Sequence, residues 1–198
     1  MLPSPPLLFI TDSAQSKRPL TKIVEDVLQG GCRWVLWREK ENGHVEQVRE
    51  LCTRFGATFF VSRDAELAVQ MQADGLHLAA NMMVSEARAA VGNHMTLGQS
   101  CHNEEEAQAA QDAGVDYITL SPIYESLSKP GYGPPLGLER LNAICEALDL
   151  PVLALGGMNG SRAKECLAAG ATGVAVMGDF MQSEDPRSLA EEYTKLFT

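Results

Sequence analysis

Residues 152–177 read VLALGGMNGSRAKECLAAGATGVAVM. A short apolar run, Val152–Leu155, leads through a glycine pair into a polar-apolar pattern of helical period over Ser161–Ala169. A second apolar run, Gly173–Met177, follows Gly170. The side-chain period passes from that of a buried strand to that of a helix and back. Working outward, the same alternation recurs. Strands are predicted at Leu7–Thr11, Trp34–Trp37, Thr58–Val61, Gly75–Leu78, Thr96–Gln99 and Tyr117–Leu120, besides the two just quoted. Helices are predicted at Leu20–Leu28, Val45–Phe55, Ala65–Gln72, Ser85–Val91, Glu104–Asp112, Leu138–Leu148 and Pro186–Leu196. Strict alternation implies parallel strands joined by right-handed crossovers. Eight units predict a closed barrel, since an open sheet of five or six strands would leave units unused. The expected fold is α/β, a single (β/α)8 TIM barrel over residues 1–198.

A weak repeat supports this reading. Gln29-Gly30-Gly31-Cys32, Gln72-Ala73-Asp74-Gly75, Ala113-Gly114-Val115-Asp116 and Ala169-Gly170-Ala171-Thr172-Gly173 each stand between a helix and a strand. The glycines are expected to stop each helix in a left-handed conformation. Such positions belong to the stabilising end of a barrel, opposite its chemistry.

With 198 residues the chain supports one sizeable core. It is short for a barrel of this kind, which usually needs roughly 200 residues or more, so loops must be tight. No apolar run approaches the roughly 18 residues of a membrane span. The start, MLPSPPLLFI, lacks a basic segment and a small-residue cleavage site, so no signal peptide is expected. Cys32, Cys52, Cys101, Cys145 and Cys166 are scattered and odd in number, which speaks against disulfides or zinc and suits a reducing cytoplasm. The net charge of −10 argues against nucleic acid and anionic membrane as partners. A small anionic substrate remains compatible, because a pocket can be locally positive. A homo-oligomer is also compatible with a small barrel.

Chemistry is expected where the strands end. Leu155-Gly156-Gly157-Met158-Asn159 follows strand seven and Val176-Met177-Gly178-Asp179 follows strand eight. In barrels these two loops commonly hold a phosphate through backbone N–H groups, and a glycine lets the main chain approach it. Ordinary tight turns are the plainer alternative. Arg38-Glu39-Lys40 tops strand two, where two cations are poor core residues and could clamp an anion. A solvated charge run is the alternative there. Ser100-Cys101-His102 follows strand five: Ser100 can donate to a phosphate, His102 can shuttle a proton, and Cys101 reads as a small buried apolar residue. Ser126, Ser128 and Lys129 follow strand six and make a second anion subsite. The Pro/Gly-rich stretch 129–135 that comes next is either a rigid connection or a substrate-covering loop.

In this order, Arg38-Glu39-Lys40, Gly75-Leu76-His77-Leu78, Ser100-Cys101-His102, Ser121-Pro122-Ile123-Tyr124, Ser126-x-Ser128-Lys129, Gly156-Gly157-Met158 and Gly173-Val174-Ala175-Val176-Met177 resemble the thiamine phosphate synthase/TenI family over nearly the whole chain. The resemblance implies a (β/α)8 barrel and a role in thiamine biosynthesis. A synthase of the family joins hydroxymethylpyrimidine diphosphate to thiazole phosphate with Mg2+. A TenI-type relative tautomerises a thiazole carboxylate phosphate. By resemblance, Arg38, Lys40, Ser100, Ser126, Ser128 and Lys129 hold diphosphate, and Gly156, Gly157, Met177 and Gly178 cradle the thiazole phosphate.

The departures from that pattern set the finer expectation. Leu36 stands where synthases carry a pyrimidine-contacting Gln. Ser62-Arg63 replaces the Asn-Asp pair whose Asp binds magnesium, and Met82 replaces the second metal Asp. Asp64, next to Arg63, is either a displaced ligand or the cap of the following helix. Magnesium wants hard oxygen ligands, so no metal ligand is assigned here, and Mg2+ follows only from the synthase reading. Arg63 is expected to substitute for the metal, a surface pair with Glu66 being the alternative. Lost metal carboxylates favour a TenI-like enzyme acting on a thiazole phosphate. The TenI catalytic His is matched by Pro122, which leaves His102, with Lys129, as the candidate catalytic groups. A divergent synthase and a non-catalytic binder of thiazole phosphate or thiamine phosphate are the alternatives.

Overall fold

The computed structural model describes residues 2–125 and 134–198. Its strands are β1 (Leu7–Ile10), β2 (Trp34–Trp37), β3 (Thr58–Ser62), β4 (Gly75–Leu78), β5 (Thr96–Cys101), β6 (Tyr117–Leu120), β7 (Val152–Ala154) and β8 (Gly173–Val176). Helices α1 (Leu20–Gln29), α2 (Val45–Arg54), α3 (Ala65–Gln70), α4 (Val84–Val91), α5 (Glu104–Asp112), α6 (Gly137–Ala147) and α7 (Gly160–Ala168) connect them. After β8 come a short helix α8 (Gly178–Gln182) and α9 (Pro186–Thr194). All strand neighbours are parallel, and β8 pairs back onto β1 with Ala175 opposite Leu8, closing the barrel. None of the helices is long and apolar enough to cross a membrane, among the described residues.

Alternation along each strand separates two cores. Outward-facing residues such as Phe9, Val35, Phe59 and Val174 pack under the helices. Inward-facing Leu8, Trp34, Phe60, Tyr117 and Leu153 fill the barrel. The two tryptophans of β2 therefore part company. Trp34 lies inside, edge-on to Phe60 and Tyr117 with ring centroids 5.3 and 4.8 Å away. Trp37 lies outside and donates from Nε1 to Asn42 Oδ1 at 3.3 Å. Each buried ring contributes about 2–3 kcal/mol of transfer free energy.

These rings correct part of the glycine expectation. Gly114 and Gly170 do take positive φ behind α5 and α7. Gly75 does not: the left-handed residue after α3 is Gln72, at φ 48°. Gly75 opens β4 instead, and a Cβ there would fall within the Phe60 ring. Gly98 stands in the same relation to Tyr117. These two glycines make room for aromatic volume inside the barrel.

The five cysteines are all free. Cys101 is buried as expected, and burial pushes its thiol up to about 12, so it stays a protonated, inert group.

Candidate active site

The strand ends and their loops enclose a cavity of about 860 Å3. On the β2 side, Arg38 lines it. The Arg38 backbone N–H donates to Thr11 Oγ1 at 3.0 Å, and its guanidinium meets Asp12 Oδ2 at 3.2 Å. Glu39 turns away and accepts from the Ser13 backbone and hydroxyl, tying the β1 loop to the β2 loop. Lys40 is exposed and is not among the residues lining the cavity.

Arg63 follows β3 in a left-handed conformation, φ 68°, that costs a residue with a Cβ about 1–2 kcal/mol. Its backbone N–H donates to the His77 carbonyl at 2.8 Å, which continues the β3–β4 ladder one step past the strand. The side chain lines the cavity and has no ion pair and no hydrogen bond among the described residues. No pair with Glu66 forms. Asp64 caps α3, accepting from the Leu67 N–H at 2.9 Å.

His77 and Ser100 form the floor. His77 is buried, with Nδ1 2.9 Å from the Tyr117 hydroxyl and Nε2 3.0 Å from Ser100 Oγ. Burial first, and then the charge of Arg63, lower its pKa from 6.5 to about 3, so the ring is neutral. Sequence reading quoted His77 only as part of a motif. The signal available was a polar ring within an otherwise apolar four-residue strand, two residues after a glycine. His102 lines the cavity, with Nδ1 2.9 Å from Glu106 Oε2 and its backbone N–H donating to the same oxygen at 2.8 Å.

Across the cavity, main chain leads the rim. Gly156 and Gly157 have φ 103° and 63°. A Cβ on Gly156 would come 2.9 Å from Pro122 Cα, and one on Gly157 would strike the Glu125 carbonyl. Loop against loop, rather than loop against ligand alone, is what excludes side chains here. Arg162, also on the cavity and not foreseen, donates to the Gly157 carbonyl at 2.6 Å and lies 4.7 Å over the Tyr124 ring. Met177 and Gly178 line the wall below α8. Ser126, Ser128 and Lys129 lie outside the described residues.

Residues 7–180 match the family described as thiamine monophosphate synthase. The chain belongs to this family. A putative thiamine-phosphate synthase of Geobacter sulfurreducens is 38% identical over 192 residues, covering 93% of this chain and 90% of that protein. A thiamine biosynthesis bifunctional protein ThiM/ThiE of Symbiobacterium thermophilum is 40% identical over 175 residues, or 85% of this chain, which spans only 36% of that protein. Among solved structures, a thiamine phosphate pyrophosphorylase from Pyrococcus furiosus superposes with a TM-score of 0.86 at 30% identity, covering 96% of this chain and 94% of that one.

At the two positions where the resemblance expects magnesium carboxylates, this thiamine monophosphate synthase family member carries Arg63 and Met82. The end of β3 offers a guanidinium, and Met82 packs its side chain against the outer core. No three His, Cys, Asp or Glu side chains converge on one point among the described residues.

Proposed function

We propose that this chain is a thiamine phosphate synthase, joining hydroxymethylpyrimidine diphosphate to thiazole phosphate. The observation that carries the reading is near full-length similarity, 38% over 90% of its length, to a protein named a putative synthase. It favours the synthase over the TenI-like tautomerase that the missing carboxylates suggested. Pro122, which lines the cavity where a tautomerase needs its acid-base group, has no proton to move.

In this reaction the bond between the pyrimidine methylene carbon and the diphosphate oxygen breaks, and its electron pair leaves with the diphosphate. The thiazole nitrogen lone pair then forms the new C–N bond. The protein's task is to stabilise charge on the leaving group. Arg38 and Arg63 supply positive charge and Ser100 a donor, with Ser126, Ser128 and Lys129 completing the subsite. Arg63 takes the place of the metal. Apolar Leu36, Ile10 and Ala175, all on the cavity wall, suit the pyrimidine ring. The main chain at Gly156, Gly157 and Gly178, beside Met177, suits the thiazole phosphate. His102, beside Glu106, can hold or move a proton at Nδ1.

The test is formation of thiamine phosphate from the two substrates, with Mg2+ and with EDTA. Product in both supports the whole reading. Product only with Mg2+ overturns the role of Arg63. Thiazole phosphate binding with no product overturns the synthase and leaves the TenI-like enzyme and the non-catalytic binder, which a tautomerase assay separates.

A further inference from the structure

The cavity floor contains a hydrogen-bond chain whose direction can be worked out from the inside. Tyr117 is fully buried, and burial raises its pKa well above 10, so its hydroxyl keeps a proton that must be donated. Among the described residues the one hydrogen-bond partner of that hydroxyl is His77 Nδ1, at 2.9 Å. The Trp34 indole packed against the Tyr117 ring offers a donor, not an acceptor, and its own Nε1 is without a partner. His77 Nδ1 therefore accepts, and a neutral imidazole then carries its proton on Nε2.

Nε2 faces two hydroxyls, Ser100 at 3.0 Å and Thr119 at 3.4 Å. With the proton on Nε2, one buried hydroxyl proton is left over, that of Thr119. With the proton on Nδ1 instead, Tyr117 and Thr119 are both left over. Only if Thr119 used the longer contact and Ser100 gave up the shorter one would a single orphan remain, and it would be the phenol. The first arrangement uses both short contacts and leaves the fewest buried protons unpaired.

We infer that Tyr117 fixes His77 in the Nε2–H tautomer, which makes Ser100 Oγ an acceptor from below and an obligate donor into the cavity. Ser100 is half-buried, lines the cavity and has no other partner among the described residues. The group that sits over β5 must then offer Ser100 a lone pair, and an oxyanion such as a phosphate oxygen offers the strongest one. His77 and Tyr117 are positioning residues: they touch no reacting atom and act through Ser100. The tautomer stands on the hydrogen-bond accounting alone, whereas identifying the oxyanion as substrate diphosphate rests on the synthase reading.

Nitrogen-15 NMR of histidine-labelled protein reads the tautomer directly, with the His77 signals assigned by their loss in His77→Gln. The expected spectrum has an unprotonated Nδ1 and a protonated Nε2, unchanged from pH 5 to 9. A proton on Nδ1 overturns the inference. Calorimetric titration with inorganic pyrophosphate tests the consequence. Ser100→Ala and Tyr117→Phe should each weaken binding roughly tenfold, as for a lost hydrogen bond to a charged group. In the Ser100→Ala background, Tyr117→Phe should cost nothing more. Additive losses, or undiminished binding in Ser100→Ala, overturn the relay. Neither readout needs turnover, and the NMR readout needs no ligand, so failure of the synthase reading leaves the tautomer test intact.

Discussion

The two sides of the cavity rim are built by different means. At β7 and β8 the wall is led by main chain, with Gly156 and Gly157 in left-handed conformations pressed on the loop that follows β6 and Arg162 beside them. At β2 to β5 the wall is side chain: Arg38, Arg63, Ser100 and, beneath them, His77. A main-chain wall is part of the packing, so its chemistry cannot be changed without disturbing the fold. A side-chain wall can exchange its functional groups on an unchanged backbone. Two departures from the pattern that the resemblance sets, Leu36 and Arg63, lie on this wall, whereas the third, Met82, packs against the outer core.

Substitutions can break or sharpen this contrast. Gly157→Val should destabilise by about 2–5 kcal/mol, combining left-handed strain with overpacking against the Glu125 carbonyl. Urea unfolding measures it, and a variant as stable as the parent would remove the distinction between the walls. Arg63→Gly should instead lower pyrophosphate affinity by roughly 10- to 100-fold with little change in stability, because glycine adopts φ 68° freely. Equal losses of folding and binding would place Arg63 in the scaffold.

His77 links the side-chain wall to the barrel interior, and pH exposes the link. Its pKa lies near 3 in the folded protein against 6.5 ordinarily. The unfolded chain therefore binds the proton first, and stability that is full above pH 6.5 is lost as pH falls toward 3. Between pH 6.5 and 5 the loss should be about 2 kcal/mol, at about 1.4 kcal/mol per unit. Unfolding midpoints across this window should flatten in His77→Gln. A steep fall that persists in the variant would assign the effect to another group. The smallest effect is expected at Asp64→Ala, about 1 kcal/mol from the lost cap of α3. Turnover should be unaffected, with or without Mg2+, and a selective loss of activity would return Asp64 to the list of ligands.

Much of the barrel was legible because the strands are short runs, mostly apolar, that alternate with segments of helical period. Predicted and observed strand ends agree within two residues. The helix α8 was not legible, since five residues are too few to display a period. In the site, Arg38 and Lys40 look alike in sequence, but only Arg38 reaches the cavity. Arg63 was singled out by its departure from a pattern. His77 was not, because sequence alone does not say which alternate residues of a barrel strand face inward. Gly75 was misread because a glycine before a strand serves helix termination or ring packing equally well, and only the Phe60 ring decides between them.

Gly98 carries that last point one step further. Any side chain there would displace the Tyr117 ring, and Tyr117 holds His77, which holds Ser100. A position that touches no ligand is therefore constrained as though it did. In a saturation library selected for function, Gly98 should tolerate as few replacements as Ser100, and compensation should arise at residue 117 before anywhere on the cavity surface.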